Sequence, residues 1–179
     1  MKRAWRIGAL LAALAAPAGL AAQSASRPVG LGMSGGLSLP VGDFGEGLNS
    51  GYTIAGHLFF KPAALTALRL RADVSADSWA FDGTGSTFRT LGVIGNALYD
   101  FPVRSSTSMA RPYLLGGLGL VHSRNGEFDV SDTNLGFQVG GGIGFQLSGF
   151  STFAEAKFVN VFGDGGSARS LPITFGVRF

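Results

Sequence analysis

The feature that most constrains this chain is an alternation of apolar residues with small or polar ones, recurring in eight segments from Val29 to Phe179. Successive side chains of an extended strand point to opposite faces, so a period of two is a strand signal; segments of roughly ten residues separated by turn-rich stretches read as an antiparallel series. The first segment sets Val29, Leu31, Met33, Leu37 and Leu39 against Gly30, Gly32, Ser34, Gly36 and Ser38. In the second, Tyr52, Ile54, Leu58 and Phe60 oppose Thr53, Ala55, His57 and Phe59. The third is the clearest, with Leu68, Leu70, Ala72, Val74 and Ala76 alternating with Arg69, Arg71, Asp73, Ser75 and Asp77. The fourth places Leu91, Val93, Ala97, Tyr99 and Phe101 against Gly92, Ile94, Asn96, Leu98 and Asp100. In the fifth, Leu114, Leu118 and Leu120 face one way and Gly117 and Gly119 the other, while Tyr113, Leu115 and Val121 break the parity. The sixth, Asn134 to Leu147, is two-faced; the seventh, Thr152 to Phe162, carries Glu155 and Lys157 opposite Ala154, Ala156, Phe158 and Phe162. In the last, Leu171, Ile173, Phe175, Val177 and Phe179 alternate with Pro172, Thr174, Gly176 and Arg178.

Alternation alone also suits half-buried strands of a soluble protein, and composition separates the two cases. Charged residues make up 14% of the chain, against roughly 25% in soluble globular domains. Many of the 29 glycines sit inside the apolar segments. A wall whose apolar face meets hydrocarbon fits both facts. Hydrocarbon cannot hydrogen-bond stray backbone groups, so such a sheet must close on itself. The expected fold is therefore all-β: an eight-stranded antiparallel up-and-down transmembrane β-barrel, apolar outside, with glycines and mutually paired polar groups filling a narrow lumen. Connections near 40–50, 82–88, 124–133 and 163–170 alternate with a set at 61–67, 102–111 and 148–151 that is shorter on average, as expected of long outer loops and short inner turns. Tyr52, Trp79, Phe81 and Phe88 are expected in an outer aromatic girdle, and Phe60, Tyr99, Phe101 and Phe179 in an inner one.

The N-terminus reads as an export signal. Lys2, Arg3 and Arg6 precede the apolar run Ile7 to Leu20, and the small residues Ala21 and Ala22 stand before Gln23. That run is short of the roughly 20 residues a helical span needs. Cleavage is expected after Ala22, dividing the chain into a signal peptide (1–22) and a barrel domain (23–179) exported to the outer membrane. Without the signal's three basic residues, eleven Lys and Arg face eleven Asp and Glu. The sequence pI near 9.7 thus belongs largely to the signal, and no nucleic-acid partner is expected. The chain has no cysteine, which excludes disulfides and thiolate metal sites.

The runs around Gly116 and Gly140 to Gly144 lack the following helix and Lys-Ser/Thr of a phosphate loop, and read as small residues relieving a crowded lumen. Glu127, Asp129 and Asp132 lie close together, but their spacing does not define a cation site, and they read as a solvated acidic loop. No catalytic, cofactor or metal set is expected. The inward charges form the remaining constellation: Arg69, Arg71, Asp73 and Asp77 on one strand, Asp100 on its neighbour, and Glu155, Lys157 and Arg178 on the last two. Burying one sign alone is costly, so paired networks are expected, such as Arg69 with Asp100 and Glu155 with Arg178. The competing reading is a water-filled pore tuned by these charges, against which eight strands leave little bore.

The terminal run Leu171 to Phe179, with the Gly-rich segments Leu114–Leu120 and Leu135–Leu147, resembles the small outer-membrane β-barrel family that includes the OmpA transmembrane domain, OmpX and the attachment-invasion barrels. The resemblance spans essentially the whole of 23–179. It implies outer-membrane lipid as the surroundings and the barrel assembly machinery as a partner during biogenesis, with Phe175, Val177 and Phe179 as the assembly signal. It implies activity less narrowly, since the family holds anchors, adhesins, slow pores and enzymes. Related deacylases carry His and Ser two residues apart on one strand face, whereas His122 and Ser123 are adjacent and point oppositely. His57 is expected in the lumen without an evident acid-base partner. The expected function is a non-enzymatic barrel with a structural or surface-interaction role through its outer loops. A small porin-like channel is the alternative, and an envelope lipid-modifying enzyme a third reading. The outer loops lean acidic, with Asp43, Glu46, Asp82, Glu127, Asp129, Asp132 and Asp164 against Arg89, Arg124 and Arg169, so a neutral or cationic external partner is expected over an anionic one.

Overall fold

A computed structural model describes residues 29–64, 67–102, 110–126, 130–147, 149–163 and 166–179. The expected signal peptide, Glu127, Asp129 and Asp164 lie outside the described residues. Eight strands follow in order: β1 (Val29–Pro40), β2 (Gly51–Phe60), β3 (Leu68–Ala80), β4 (Thr87–Asp100), β5 (Ala110–Asn125), β6 (Val130–Gln146), β7 (Ser151–Gly163) and β8 (Gly166–Arg178). Each pairs antiparallel with the next, and β8 returns to β1, which closes the barrel. The last residue belongs to the seam, since Phe179 N donates to Leu31 O at 2.8 Å. The described start of β1 and the end of β8 lie at the same end of the barrel, called the inner end below.

The wall is inverted relative to a soluble protein. Leu31, Met33, Ile54, Val93, Leu118, Ile173 and Phe175 are exposed, while His57, Arg71, Asp73, Gln138, Glu155 and Lys157 are buried. The irregular fifth segment is regular in space. Tyr113, Leu115 and Val121 share the inward parity with Gly117 and Gly119, and they are large because the neighbouring strands leave them room. Tyr113 and Leu115 join Phe59, Leu98 and Phe153 in an apolar cluster toward the inner end; Val121 joins Ile94 and Val161 in a second cluster further out.

Two expectations are corrected. Trp79 and Phe88 are not girdle residues: Trp79 is buried, donates Nε1–H to Ser38 O at 3.0 Å, and packs with Phe88 and with Phe44 of a short 3-10 helix (Gly42–Gly45) over the outer mouth. Parity puts Trp79 on the same inward face as Arg71 and Asp73. The second correction concerns the connections. The outer ones shrink to 41–50, 81–86, 126–129 and 164–165, while the inner ones are 61–67, 101–109 and 147–150, so length does not tell the two ends apart. Apolar alternation stops where hydrocarbon stops, but backbone pairing continues into water; β5 and β6 run to 16 and 17 residues, beyond the roughly 9–11 needed to span.

Candidate functional site

The lumen is where the fold gathers chemically capable side chains, because every second residue of every strand points into it. Register places Phe59 beside Arg71, Arg71 beside Asn96, and His57 beside Asp73 on adjacent strands. Arg71, 2% exposed, donates from Nη1 to Glu155 Oε2 at 2.7 Å and from Nη2 to Glu155 Oε1 at 3.0 Å and Asp73 Oδ2 at 2.9 Å. Its Nε lies 2.8 Å from Asp73 Oδ1 without the alignment of a hydrogen bond. Tyr113 donates its hydroxyl to Glu155 Oε2 at 2.9 Å, and Lys157 Nζ stands 3.5 Å from Glu155 Oε1. On the other side, Asn96 and Gln138 donate to Asp73 Oδ2 at 3.0 and 3.2 Å, and Gln138 also donates to Asn96 Oδ1 at 2.6 Å. With His57 bonded to Asp73 and Ser34 bonded to His57, the layer draws on seven strands, β1 to β7, and crosses the bore.

Of the expected pairs, Arg69–Asp100 is present toward the inner end, with Arg69 Nε donating to Oδ2 at 2.6 Å. Glu155 does not take Arg178. It takes Arg71, while the Arg178 guanidinium lies over the Phe59 ring, 4.9 Å from its centroid. Asp77 stands apart, accepting from Thr90 Oγ1 at 3.3 Å. Sequence reasoning missed Ser34, Asn96, Tyr113 and Gln138 as members of this layer, and His57 as a paired one. All share the inward parity, so the signal was available; weighing charged residues alone passed over them.

One substructure resembles an acyl-transfer relay. Ser34 Oγ is 2.8 Å from His57 Nε2, and His57 Nδ1 is 2.7 Å from Asp73 Oδ1. Its surroundings differ from those of such a relay. The Asp73 carboxylate is shared among His57, Arg71, Asn96 and Gln138, and neither Ser34 nor His57 lines the two cavities of the bore. The second histidine, His122, is exposed on the outer wall, with Nδ1 2.9 Å from Thr133 Oγ1 across the β5–β6 pair.

The polar layer separates two cavities. Toward the outer end, about 30 Å³ lies among Phe44, Asp77, Trp79, Thr90, Gln138 and Lys157. Toward the inner end, a larger one of about 220 Å³ is lined by Phe59, Lys61, Arg69, Asp100, Tyr113 and Arg178 among others. Among the described residues no group of His, Cys, Asp and Glu is placed to hold a metal.

A closed, lipid-compatible outer wall around a polar, filled bore defines a small membrane-spanning β-barrel. Residues 8–179 match the model of the outer membrane protein beta-barrel domain, and the chain belongs to that family, a barrel of the bacterial outer membrane set in its lipid. Neisserial surface protein A is similar in structure, with a TM-score of 0.67 at 17% identity over 87% of this chain and 98% of that one. Ail, the attachment invasion locus protein of Yersinia pestis, aligns with a TM-score of 0.49 at 12% identity over 84% and 97%. The outer membrane enzyme PagL aligns with a TM-score of 0.49 at 17% identity over 83% and 97%. No curated protein matches the sequence.

Proposed function

We propose that this barrel is a non-enzymatic component of the outer membrane that works through its exposed loops, its lumen serving as a structural plug. The observation that carries this reading is the polar layer centred on Arg71, which joins Asp73 and Glu155 across the bore and separates the two cavities. A plugged bore leaves the outer rim as the surface that can meet the outside. Exposed Asp43, Glu46, Asp82 and Asp132 outnumber exposed Arg89, Arg124 and Arg169 there by one, a small excess that favours a neutral or cationic partner. In the same reading Phe175, Val177 and Phe179 are the address read by the assembly machinery; Phe175 and Phe179 project outward on the closing strand.

The test is paired. Barrel reconstituted in planar bilayers is expected to give no discrete conductance, and steady single-channel steps would replace this reading with the porin-like one. Barrel in liposomes is expected to bind a polylysine-coated surface, and the quadruple variant Asp43→Asn, Glu46→Gln, Asp82→Asn, Asp132→Asn to lose that binding. Equal retention of both would remove the role given to the acidic rim. An enzymatic reading would use either the exposed His122–Thr133 contact or the Ser34–His57–Asp73 chain, and comparison of lipid A masses between the parent, His122→Ala and Ser34→Ala decides it: a changed profile in either variant is the enzyme's mark.

A further inference from the structure

Every strand from β2 to β8 brings a polar side chain to the inner mouth. Lys61 directly follows β2, Arg69 is on β3, Asp100 on β4, Arg111 on β5, Gln146 on β6, Ser151 on β7 and Arg178 on β8, and all line the cavity of about 220 Å³. Four of these are cations and one is an acid. That acid is already held by Arg69 through two hydrogen bonds, and Arg69 also lies over the Tyr113 ring, 5.3 Å from its centroid. Among the described residues no ion pair involves Lys61, Arg111 or Arg178. The partly buried Arg178 has an aromatic face in place of a carboxylate.

We propose that this vestibule binds a small oxyanion, a carboxylate or a phosphate, whose apolar body packs on Phe59, Tyr113 and Phe153. Three features converge on that chemistry. A mouth with four cations to one acid, set within low-dielectric walls, concentrates anions. Arginine forks that lack a carboxylate match the planar, two-oxygen edge of a carboxylate or phosphate. The floor is aromatic, since Phe59, Tyr113 and Phe153 are buried and adjoin the same cavity. At roughly 30 Å³ per liquid water, the space accommodates several waters or one small organic anion. Arg69, Arg111 and Arg178 lie on the inward parity of their strands, and Lys61, just beyond β2, lines the same cavity. The inference is independent of the loop function proposed above, because it concerns the opposite end of the barrel.

The experiment uses the folded barrel in nanodiscs of zwitterionic lipid, so that no anionic headgroup competes, with the Nε–H signals of Arg111 and Arg178 followed by NMR. Titration with benzoate, inorganic phosphate and benzylammonium separates the possibilities. Saturable migration with benzoate assigns a carboxylate ligand, and saturation with phosphate alone assigns a phosphate; benzylammonium is expected to move neither signal. The double variant Lys61→Gln, Arg111→Gln, whose folding is checked by heat-modifiable gel mobility and whose Arg178 signal is retained, is expected to weaken binding by roughly tenfold or more, as for loss of a charge-assisted hydrogen bond. No saturation by either anion, equal response to benzylammonium, or unchanged affinity in the folded double variant would overturn the proposal.

Discussion

Arg71 holds Glu155 through both terminal nitrogens and Asp73 through Nη2 while almost wholly enclosed. A buried pair of this kind adds little net stability when made, but removing one partner strands a charge. Arg71→Met is accordingly expected to destabilise the barrel by about 3–5 kcal/mol, read from urea unfolding in detergent micelles. Adding Glu155→Met and Asp73→Asn is expected to recover part of that loss, because the stranded carboxylates go with their partner. Glycines divide by what surrounds them. A Cβ at Gly36 would run into the Ile173 carbonyl and Thr174 Cα of the closing strand, whereas one at Gly56 meets nothing within 4 Å. Gly36→Ala is expected to cost about 1–3 kcal/mol as overpacking, and Gly56→Ala to stay within about 0.5 kcal/mol of the parent. Equal effects in the same unfolding assay would refute the distinction.

At the scale of the element, β8 has two tasks: it supplies an apolar face to lipid through Leu171, Ile173 and Phe175, and it closes the ladder with β1. Phe179 sits at the end of both, 63% exposed, with its N–H bonded to Leu31 O. Phe179→Ala keeps that backbone bond and removes the ring. It is expected to leave unfolding in detergent nearly unchanged while slowing appearance of the heat-modifiable form in pulse-labelled cells, the separation that an assembly address predicts. Slowing of both to the same degree would make the ring a stability residue. The β5–β6 hairpin shows what alternation can and cannot reveal. Its membrane part was legible from Leu114, Leu118, Val139 and Ile143, but its extension through Arg124 and Ser131 was not, because outside hydrocarbon neither face must be apolar while the ladder runs on.

For the whole molecule, the solvent is inverted: the exposed apolar wall is satisfied by lipid and the bore by its own charges. Leu118, 65% exposed near the middle of β5, is therefore where a charge should cost most. Leu118→Arg is expected to lower stability by about 2–4 kcal/mol, as at a bilayer midplane, measured by urea titration in lipid vesicles. The same substitution without effect would place this wall in water. Charge is also uneven along the axis: exposed Asp43, Glu46, Asp82 and Asp132 share the outer rim with exposed Arg89, Arg124 and Arg169, whereas Lys61, Arg69, Arg111 and Arg178 outnumber Asp100 around the inner mouth.

How much of this was legible follows from the reach of each force. Period-two alternation, scarce charge and interior glycines determined an eight-stranded barrel and the face of nearly every strand residue, because pleat and solvent act locally on each position. The inward parity of Arg69, Arg71, Asp73, Asp77, Asp100, Glu155, Lys157 and Arg178 was in the sequence as well. Partner choice was not: Glu155 meets Arg71 from across the barrel and not Arg178 on the adjacent strand, and Trp79, inward by parity, packs on Phe44 and bonds to Ser38 O. Which inward groups meet depends on the height each reaches once strand register and closure set the stagger, a property of the whole sheet. Alternation could therefore say which residues enter the lumen, and tertiary structure alone decided which of them touch.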